Sequence, residues 1–177
     1  MKIAELSAAQ MARTGCTHRF EVTYADLTAA ATTQTLTLAS ILAAGTFVSN
    51  VCYKVVTLFS GGSTSDLTVQ VGYDVATGTD DANGLLPAHS IHADATYILA
   101  GPSPIGDADT STVDGTYGSD ESTVIASLRT KLDAATRSAP KAFQEAGSLT
   151  ALFTATTANL STLTAGEVHI YARIAQL

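Results

Sequence analysis

The sequence predicts an all-β protein, an antiparallel β-sandwich of the jelly-roll or Greek-key type with long loops and at most one short helix. Two observations lead to this prediction. Apolar and polar residues alternate along most of the patterned segments, which is the periodicity of half-buried strands. The chain has 177 residues, of which 46% are hydrophobic and 14% charged, and this size and composition are typical of one globular domain with a continuous core.

The predicted strands are short alternating segments, several of them separated by glycine-containing turns. In the first, Phe20 and Val22 share one face, and polar residues share the other. The longest segment runs from Thr46 to Ser60, and the apolar residues on both of its faces are typical of a strand in the middle of a sandwich. The alternating segments are residues 20–24, 33–42, 46–60, 67–73, 149–155 and 167–174.

The loop at residues 61–63, Gly-Gly-Ser, separates the longest segment from the next one, residues 67–73. A short glycine-rich loop between two alternating runs is the usual signal of a β-hairpin. The sequence therefore predicts that residues 46–74 form one antiparallel hairpin, with the two strands paired side by side in the same sheet.

A loop-rich insertion, residues 75–147, interrupts the single predicted domain, which spans residues 16–177. Gly, Asp, Ser and Thr dominate the first part of this insertion, and proline recurs in it. Because proline cannot donate a backbone hydrogen bond, these prolines argue against a long regular element between residues 74 and 117. They are Pro87, Pro102 and Pro104.

Within the insertion, only residues 96–100 have a strand-like pattern. Residues 120–137 place apolar side chains at helical spacing, so this stretch forms either a short surface helix or a long irregular excursion. Tyr97 and Tyr117 lie in or beside the loop region. Because the other tyrosines and most phenylalanines alternate within strands, these two are the candidate exposed aromatic residues for loop contacts.

Residues 1–15 precede the first strand and are predicted to be an N-terminal arm. Ile3, Leu6 and Met11 are spaced among small polar residues, so they are the candidates for binding a partner surface on which the arm becomes ordered. A frayed terminus is the alternative, and the pattern does not choose between the two. The segment lacks the apolar run of a secretory signal, which argues against export by that route.

The chain carries 9 Lys and Arg residues against 16 Asp and Glu residues, for a formal net charge of −7. This charge disfavours nucleic acid and anionic membranes as partners, because both are themselves negative. The uncharged stretch 27–53 is interrupted by polar residues too often to be a transmembrane segment. Cys16 and Cys52 lie far apart and outside any Cys-X-X-Cys motif, which predicts thiols without a disulfide in a reducing cytoplasm.

The sequence has no motif for catalysis, neither a nucleophile elbow nor a phosphate-binding loop nor a His-Glu-X-X-His helix. His89 and His92 form a His-X-X-His pair, but a zinc site needs three or four ligands, and two solvated loop histidines are the better interpretation. The acidic run from Asp107 partly matches a calcium loop but lacks its glycine and its final glutamate. The prediction is therefore no catalytic residue, no metal site and no cofactor.

Several stretches combine threonine with alternating apolar residues in a distinctive way. They are TLTL at residues 35–38, AGT at 44–46, VCYKVVTLFSGG at 51–62, DLTVQVGY at 66–73, SLTALFTA at 148–155 and LTAGEVHIYARI at 163–174. In these stretches the chain resembles small structural proteins of tailed-bacteriophage virions, and head decoration (cement) proteins most closely. The resemblance covers residues 33–74 and 148–174 and consists of strand patterning rather than of chemically special residues.

This resemblance implies a non-catalytic protein on the outer head surface of a virion, made in the bacterial host cytoplasm. Its implied partners are the major capsid protein, whose neighbouring subunits it would clamp, and itself, often as a homotrimer. A tail-associated or host-surface module that binds a receptor or glycan through residues 77–117 is the alternative. A metal-dependent enzyme of the cupin type is a third class, but the four histidines lack the clustered motif that it uses.

Overall fold

The computed structural model describes residues 1–92 and 141–176, and its regular elements are almost all strands. The strands are β1 (Lys2–Glu5), β2 (His18–Thr23), β3 (Thr33–Leu42), β4 (Thr46–Ser60), β5 (Asp66–Val75), β6 (Asp81–Ser90), β7 (Lys141–Ala142), β8 (Gly147–Thr156) and β9 (Ala165–Gln176). One α-helix, α1 (Ala8–Thr14), and two 3₁₀ turns, η1 (Tyr24–Asp26) and η2 (Leu160–Thr162), join them. The strand-like segment at 96–100, the helical pattern at 120–137, the Asp107 run, Tyr97 and Tyr117 lie outside the described residues.

The strands form two antiparallel sheets that pack face to face. Sheet A has the order β1-β2-β9-β4-β7, and sheet B has the order β3-β8-β5-β6. Four antiparallel pairs are nested along the chain, because each pair encloses the next one in sequence. From the outside inwards they are β2·β9, β3·β8, β4·β7 and β5·β6. This nesting is the jelly-roll arrangement, so the predicted all-β sandwich is confirmed.

The predicted hairpin over residues 46–74 is wrong, because its two strands lie in different sheets. Strand β4 pairs with β9 and β7, whereas β5 pairs with β8 and β6. Ile91 separates the two strands where they approach, since its carbonyl oxygen accepts from the Phe59 amide at 3.0 Å and its amide donates to the Leu67 carbonyl at 2.8 Å. The connection is an arch between sheets, with positive φ angles of 124° at Gly61 and 60° at Gly62, which glycine adopts without a steric cost.

The expectation of no long regular element between residues 74 and 117 is wrong for residues 81–90, which form β6. Strand β6 lies at the edge of sheet B, and its register with β5 shifts between the pairs Val69↔His89 and Val71↔Leu86. Pro87 lies inside that shift. Edge strands and bulges are the places where a sheet tolerates the missing amide of proline, so the tertiary position of β6 overrides the local signal.

The core lies between the inner faces of the two sheets. The largest side chains with less than 2% exposure are Tyr53, Phe20, Phe59, Phe143 and Phe153, followed by five leucines and Ile91. Strand β4 has the predicted bounds, Thr46–Ser60, but its alternation shifts at Asn50, whose φ of 51° accompanies a bulge against β9. Cys16 and Cys52 are both buried and form no disulfide, as predicted.

Candidate functional site

Residues 1–14, hereafter the N-terminal edge, are part of the sandwich rather than an arm outside it. Strand β1 pairs antiparallel with β2, with Lys2 opposite Glu21 and Glu5 opposite His18. Strand β1 is the outermost strand of sheet A, so its other side has no strand partner within the described residues. The predicted independent arm is therefore corrected to an edge strand and a helix, because backbone pairing with β2 incorporates residues 2–5 into the sheet.

Helix α1 is short but both of its ends are capped. The Ser7 amide donates to Gln10 Oε1 at 3.0 Å, and the Gln10 amide donates to Ser7 Oγ at 3.4 Å, which is a capping box. At the other end Gly15 has a φ of 68°, and its amide donates to the Met11 carbonyl at 2.7 Å. These caps hold the helix in place between β1 and β2, so the N-terminal edge is a defined surface.

The three residues predicted for partner binding separate into two groups. Ile3 is 57% exposed and Met11 is 37% exposed, so both present apolar surface at the N-terminal edge. Leu6 is only 6% exposed and belongs to the hydrophobic core. Leu6 is therefore corrected from a binding residue to a packing residue. Its amide donates to the Thr17 carbonyl at 2.8 Å, which turns the chain back toward the sandwich.

Further exposed apolar residues lie beside β1. Met1 and Tyr24 are both 41% exposed, and Tyr24 begins η1. Asp26, also in η1, contacts the N-terminal amine of Met1 and accepts from the Thr23 amide at 2.9 Å. Partial burial would raise the pKa of the Asp26 carboxyl, but its bonds to the amine and to Thr23 outweigh burial and lower that pKa. This corner therefore combines apolar side chains with an ionised carboxylate.

The outer face of sheet A carries a second group of polar residues. Glu21 on β2 is directly opposite His169 on β9, and Glu167 lies two residues from His169 on the same face. Their ligand atoms lie within 4.8 Å of one another. Glu21, Glu167 and His169 are hereafter the Glu–His cluster. The alternation in β9 predicts that Glu167 and His169 share a face, but no local signal indicates that Glu21 faces them.

Two close side-chain contacts organise this outer face. Arg19 Nη2 contacts Glu21 Oε1 at 2.6 Å, and His169 Nε2 contacts Glu167 Oε1 at 2.7 Å. His169 is 9% exposed, and its other ring nitrogen, Nδ1, is buried and has no hydrogen-bond partner within the described part of the chain. The cluster is thus a semi-buried set of two carboxylates and one imidazole on the two adjacent strands β2 and β9.

His89 and His92, predicted to be solvated loop residues, are placed differently by the structure. His89 lies on β6 with its ring centroid 5.7 Å from that of Tyr53, and burial lowers the pKa of its imidazole. His92 is 1% exposed and forms a bridge with Phe59. The described residues place no third ligand of a metal site beside them. The prediction of two solvated loop histidines is therefore corrected: His89 is half-buried on β6, and His92, two residues after the end of β6, is buried against the sandwich.

Comparisons with protein-family models, with curated proteins and with solved structures give no match to this chain. Among the residues that the structure describes, no helix has the length and apolar character needed to cross a bilayer. The functional interpretation therefore depends on the jelly-roll framework, on the N-terminal edge and on the chemistry of its surfaces.

Proposed function

We propose that this chain is a non-catalytic structural protein of a tailed-phage virion, a head decoration protein that binds the outer capsid surface and stabilises contacts between major capsid subunits. The observation that carries this proposal is the N-terminal edge, where the exposed Ile3 lies on a strand whose outer side has no partner among residues 1–92 and 141–176. Jelly rolls serve viral structural proteins, lectins and cupins alike, so the fold by itself does not select a function.

The free side of β1 provides backbone groups for a partner strand. An extended segment of the major capsid protein can add to such an edge, because unpaired amides and carbonyls of both chains then become hydrogen-bonded. Side chains next to the edge provide the specificity. Because Ile3 is 57% exposed, burying the rest of its side chain against the capsid would contribute roughly 1 to 2 kcal/mol, and Met11 lies in the neighbouring helix α1 as a second apolar contact.

The charge of the chain is compatible with the outer side of the head. A net charge of −7 is unfavourable next to packaged DNA, whose phosphates repel it, but carries no such cost on the outside of the capsid. The positive groups of the N-terminal edge, among them Lys2, are few. The proposed attachment therefore depends on strand pairing and apolar contacts rather than on attraction to a charged surface.

The first test replaces Ile3 with aspartate. We expect Ile3→Asp to reduce occupancy on mature, expanded heads by more than about tenfold, because an apolar contact is replaced by a charge that must be desolvated. The unfolding midpoint should stay close to that of the unmodified protein, since Ile3 is 57% exposed. Occupancy is measured by sedimenting heads with a range of protein concentrations and quantifying the bound chain.

Val56→Asp is the matched control, because Val56 is 45% exposed on β4, outside the N-terminal edge. The proposal requires that this variant bind heads as well as the unmodified protein does. Equal occupancy of Ile3→Asp and Val56→Asp would refute the role of the N-terminal edge. Binding to host cells or glycans that does not depend on Ile3 would instead favour the receptor-binding alternative.

Self-association as a homotrimer is part of the same proposal. Strand β3 supports it, because β3 is an edge strand of sheet B and its 10 residues, Thr33–Leu42, contain no charged side chain. Charged residues are a common device against edge-to-edge association, so an edge without them favours lateral contacts between copies. We expect sedimentation equilibrium to give the mass of three chains. Only monomer at high concentration, together with no trimer on the head, would contradict this expectation.

A further inference from the structure

We propose that the Glu–His cluster binds a divalent transition-metal ion of the zinc class, with Glu21, Glu167 and His169 as the protein ligands. Their ligand atoms already lie within 4.8 Å of one another. Two donors on one tetrahedral ion at ordinary Zn–N and Zn–O lengths are about 3.3 Å apart, so changes of roughly an ångström or more in the side-chain positions complete the site. This inference is independent of the proposed role on the phage head.

The backbone beneath the cluster is held in place by pairing on both sides. Strand β9 is hydrogen-bonded to β2 on one side and to β4 on the other. Glu21 and His169 are cross-strand partners, and Glu167 is paired with Thr23 one step further along β2. Ligands on neighbouring strands of a sheet interior are positioned more accurately than ligands on loops, so the entropic cost of bringing the three side chains together is small.

His169 presents one of its two ring nitrogens to the cluster. Its Nε2 lies 2.7 Å from Glu167 Oε1, whereas its Nδ1 is buried without a hydrogen-bond partner among the described residues. Nε2 is therefore the ring nitrogen that faces the cluster, and Nδ1 points away from it. Because metal ligands bind in their unprotonated form, an ion at the cluster would take the place of the proton that lies between Nε2 and Glu167 Oε1.

The two carboxylates of the cluster lie between two cationic side chains, and a metal ion would have to compete with both. Arg19 contacts Glu21, and Lys54 of β4 is the cross-strand partner of His169. Two carboxylates that lie close together repel each other, and a cation between them removes that repulsion. Arg19 contacts Glu21 through Oε1, and Oε2 is the second oxygen through which this carboxylate can bind an ion. Glu167 has 34% of its side chain exposed, which provides a route from solvent. One imidazole with two carboxylates suits zinc, cobalt or nickel better than calcium, which takes six to eight oxygen ligands.

The experiment titrates the purified full chain with Zn²⁺ by calorimetry and with Co²⁺ by visible absorption, under reducing conditions. We expect one Zn²⁺ per chain, Co²⁺ absorption typical of nitrogen and oxygen ligands, and displacement of Co²⁺ by Zn²⁺. His169→Gln should weaken binding by more than about tenfold. Affinity should also fall as the pH is lowered, because the imidazole must be unprotonated to bind the ion.

His18→Gln is the matched control, because His18 also lies on β2 but is not part of the cluster. It should leave the affinity unchanged. If His169→Gln fails to fold, Glu167→Gln is tested instead, because the Glu167 side chain is more exposed than that of Glu21 and its replacement disturbs the fold less. Three results would each overturn the proposal. They are a stoichiometry other than one ion per chain, equal affinity in the cluster variants and the control, and Co²⁺ absorption bands that come from a thiolate ligand.

Discussion

Replacing Gly72 with alanine is expected to cause a large loss of stability, because an added Cβ would approach backbone more closely here than at any other glycine whose surroundings the structure describes. A Cβ at Gly72 would lie 1.8 Å from the Asp81 carbonyl oxygen and 2.4 Å from the Ala82 carbonyl carbon. Both are backbone atoms at the start of β6, so relief of the clash requires that β6 separate from β5. Overpacking in a well-packed site costs about 1 to 3 kcal/mol and at times more, and a clash with backbone lies at or above the upper end of that range.

The measurement is the free energy of unfolding from denaturant titration of Gly72→Ala. Gly78→Ala is the matched control, because a Cβ at Gly78 would approach only side-chain atoms, Val75 Cγ2 at 2.9 Å and Glu145 Oε1 at 3.3 Å. We expect the control to change the midpoint far less, since side chains on an exposed turn can move. Equal midpoints for the two variants would mean that β6 does not cross Gly72 as closely as described.

Phe153→Ala is expected to destabilise the protein by about 3 to 5 kcal/mol, the usual range for a buried phenylalanine. Phe153 is 0% exposed and lies on β8 between Gln34 of β3 and Val69 of β5. Its removal leaves a cavity between the sheets that neighbouring strands cannot fill without breaking their hydrogen bonds. For a chain of this size the corresponding fall in Tm is roughly 6 to 20 °C.

Leu152→Ala is the control for this variant, because Leu152 is the preceding residue on β8, half-buried on the opposite face. The loss of stability in the control should be less than half of that in Phe153→Ala, since less apolar surface is removed from a buried environment. Thermal and denaturant unfolding of both variants gives the comparison. A control that is as unstable as Phe153→Ala would show that the outer face of sheet B is also packed against other parts of the protein.

The bounds of individual strands follow closely from the sequence, because side-chain alternation is a property of neighbouring residues. Strand β4 begins and ends where the pattern predicts, and β8 and β9 extend the predicted segments by one or two residues at their ends. Pairing partners do not follow in the same way. Strand β4 pairs with β9, more than a hundred residues away in the chain, whereas the local glycine signal predicts β5.

The candidate sites show the same difference between what neighbouring residues predict and what strand pairing decides. The sequence identifies Ile3 and Met11 as apolar residues near the N-terminus but does not separate them from Leu6, which the fold buries in the core. The Glu–His cluster is not visible in the sequence, because Glu21 and His169 meet only through the pairing of β2 with β9. Pro87 is a similar case. In the sequence it argues against a strand, but it lies in β6 at the edge of sheet B, where proline is tolerated.

By itself, the sequence determined that this chain forms strands, where most of them begin and end, and which face of each is apolar, because these depend on residues one or two positions apart. Only the tertiary structure decided which strands pair, that the N-terminal segment is an edge of sheet A, and which polar residues meet on its outer face. Those contacts join residues that are distant in the chain. Closing such long loops costs conformational entropy, and only the packing of the whole sandwich compensates for that cost.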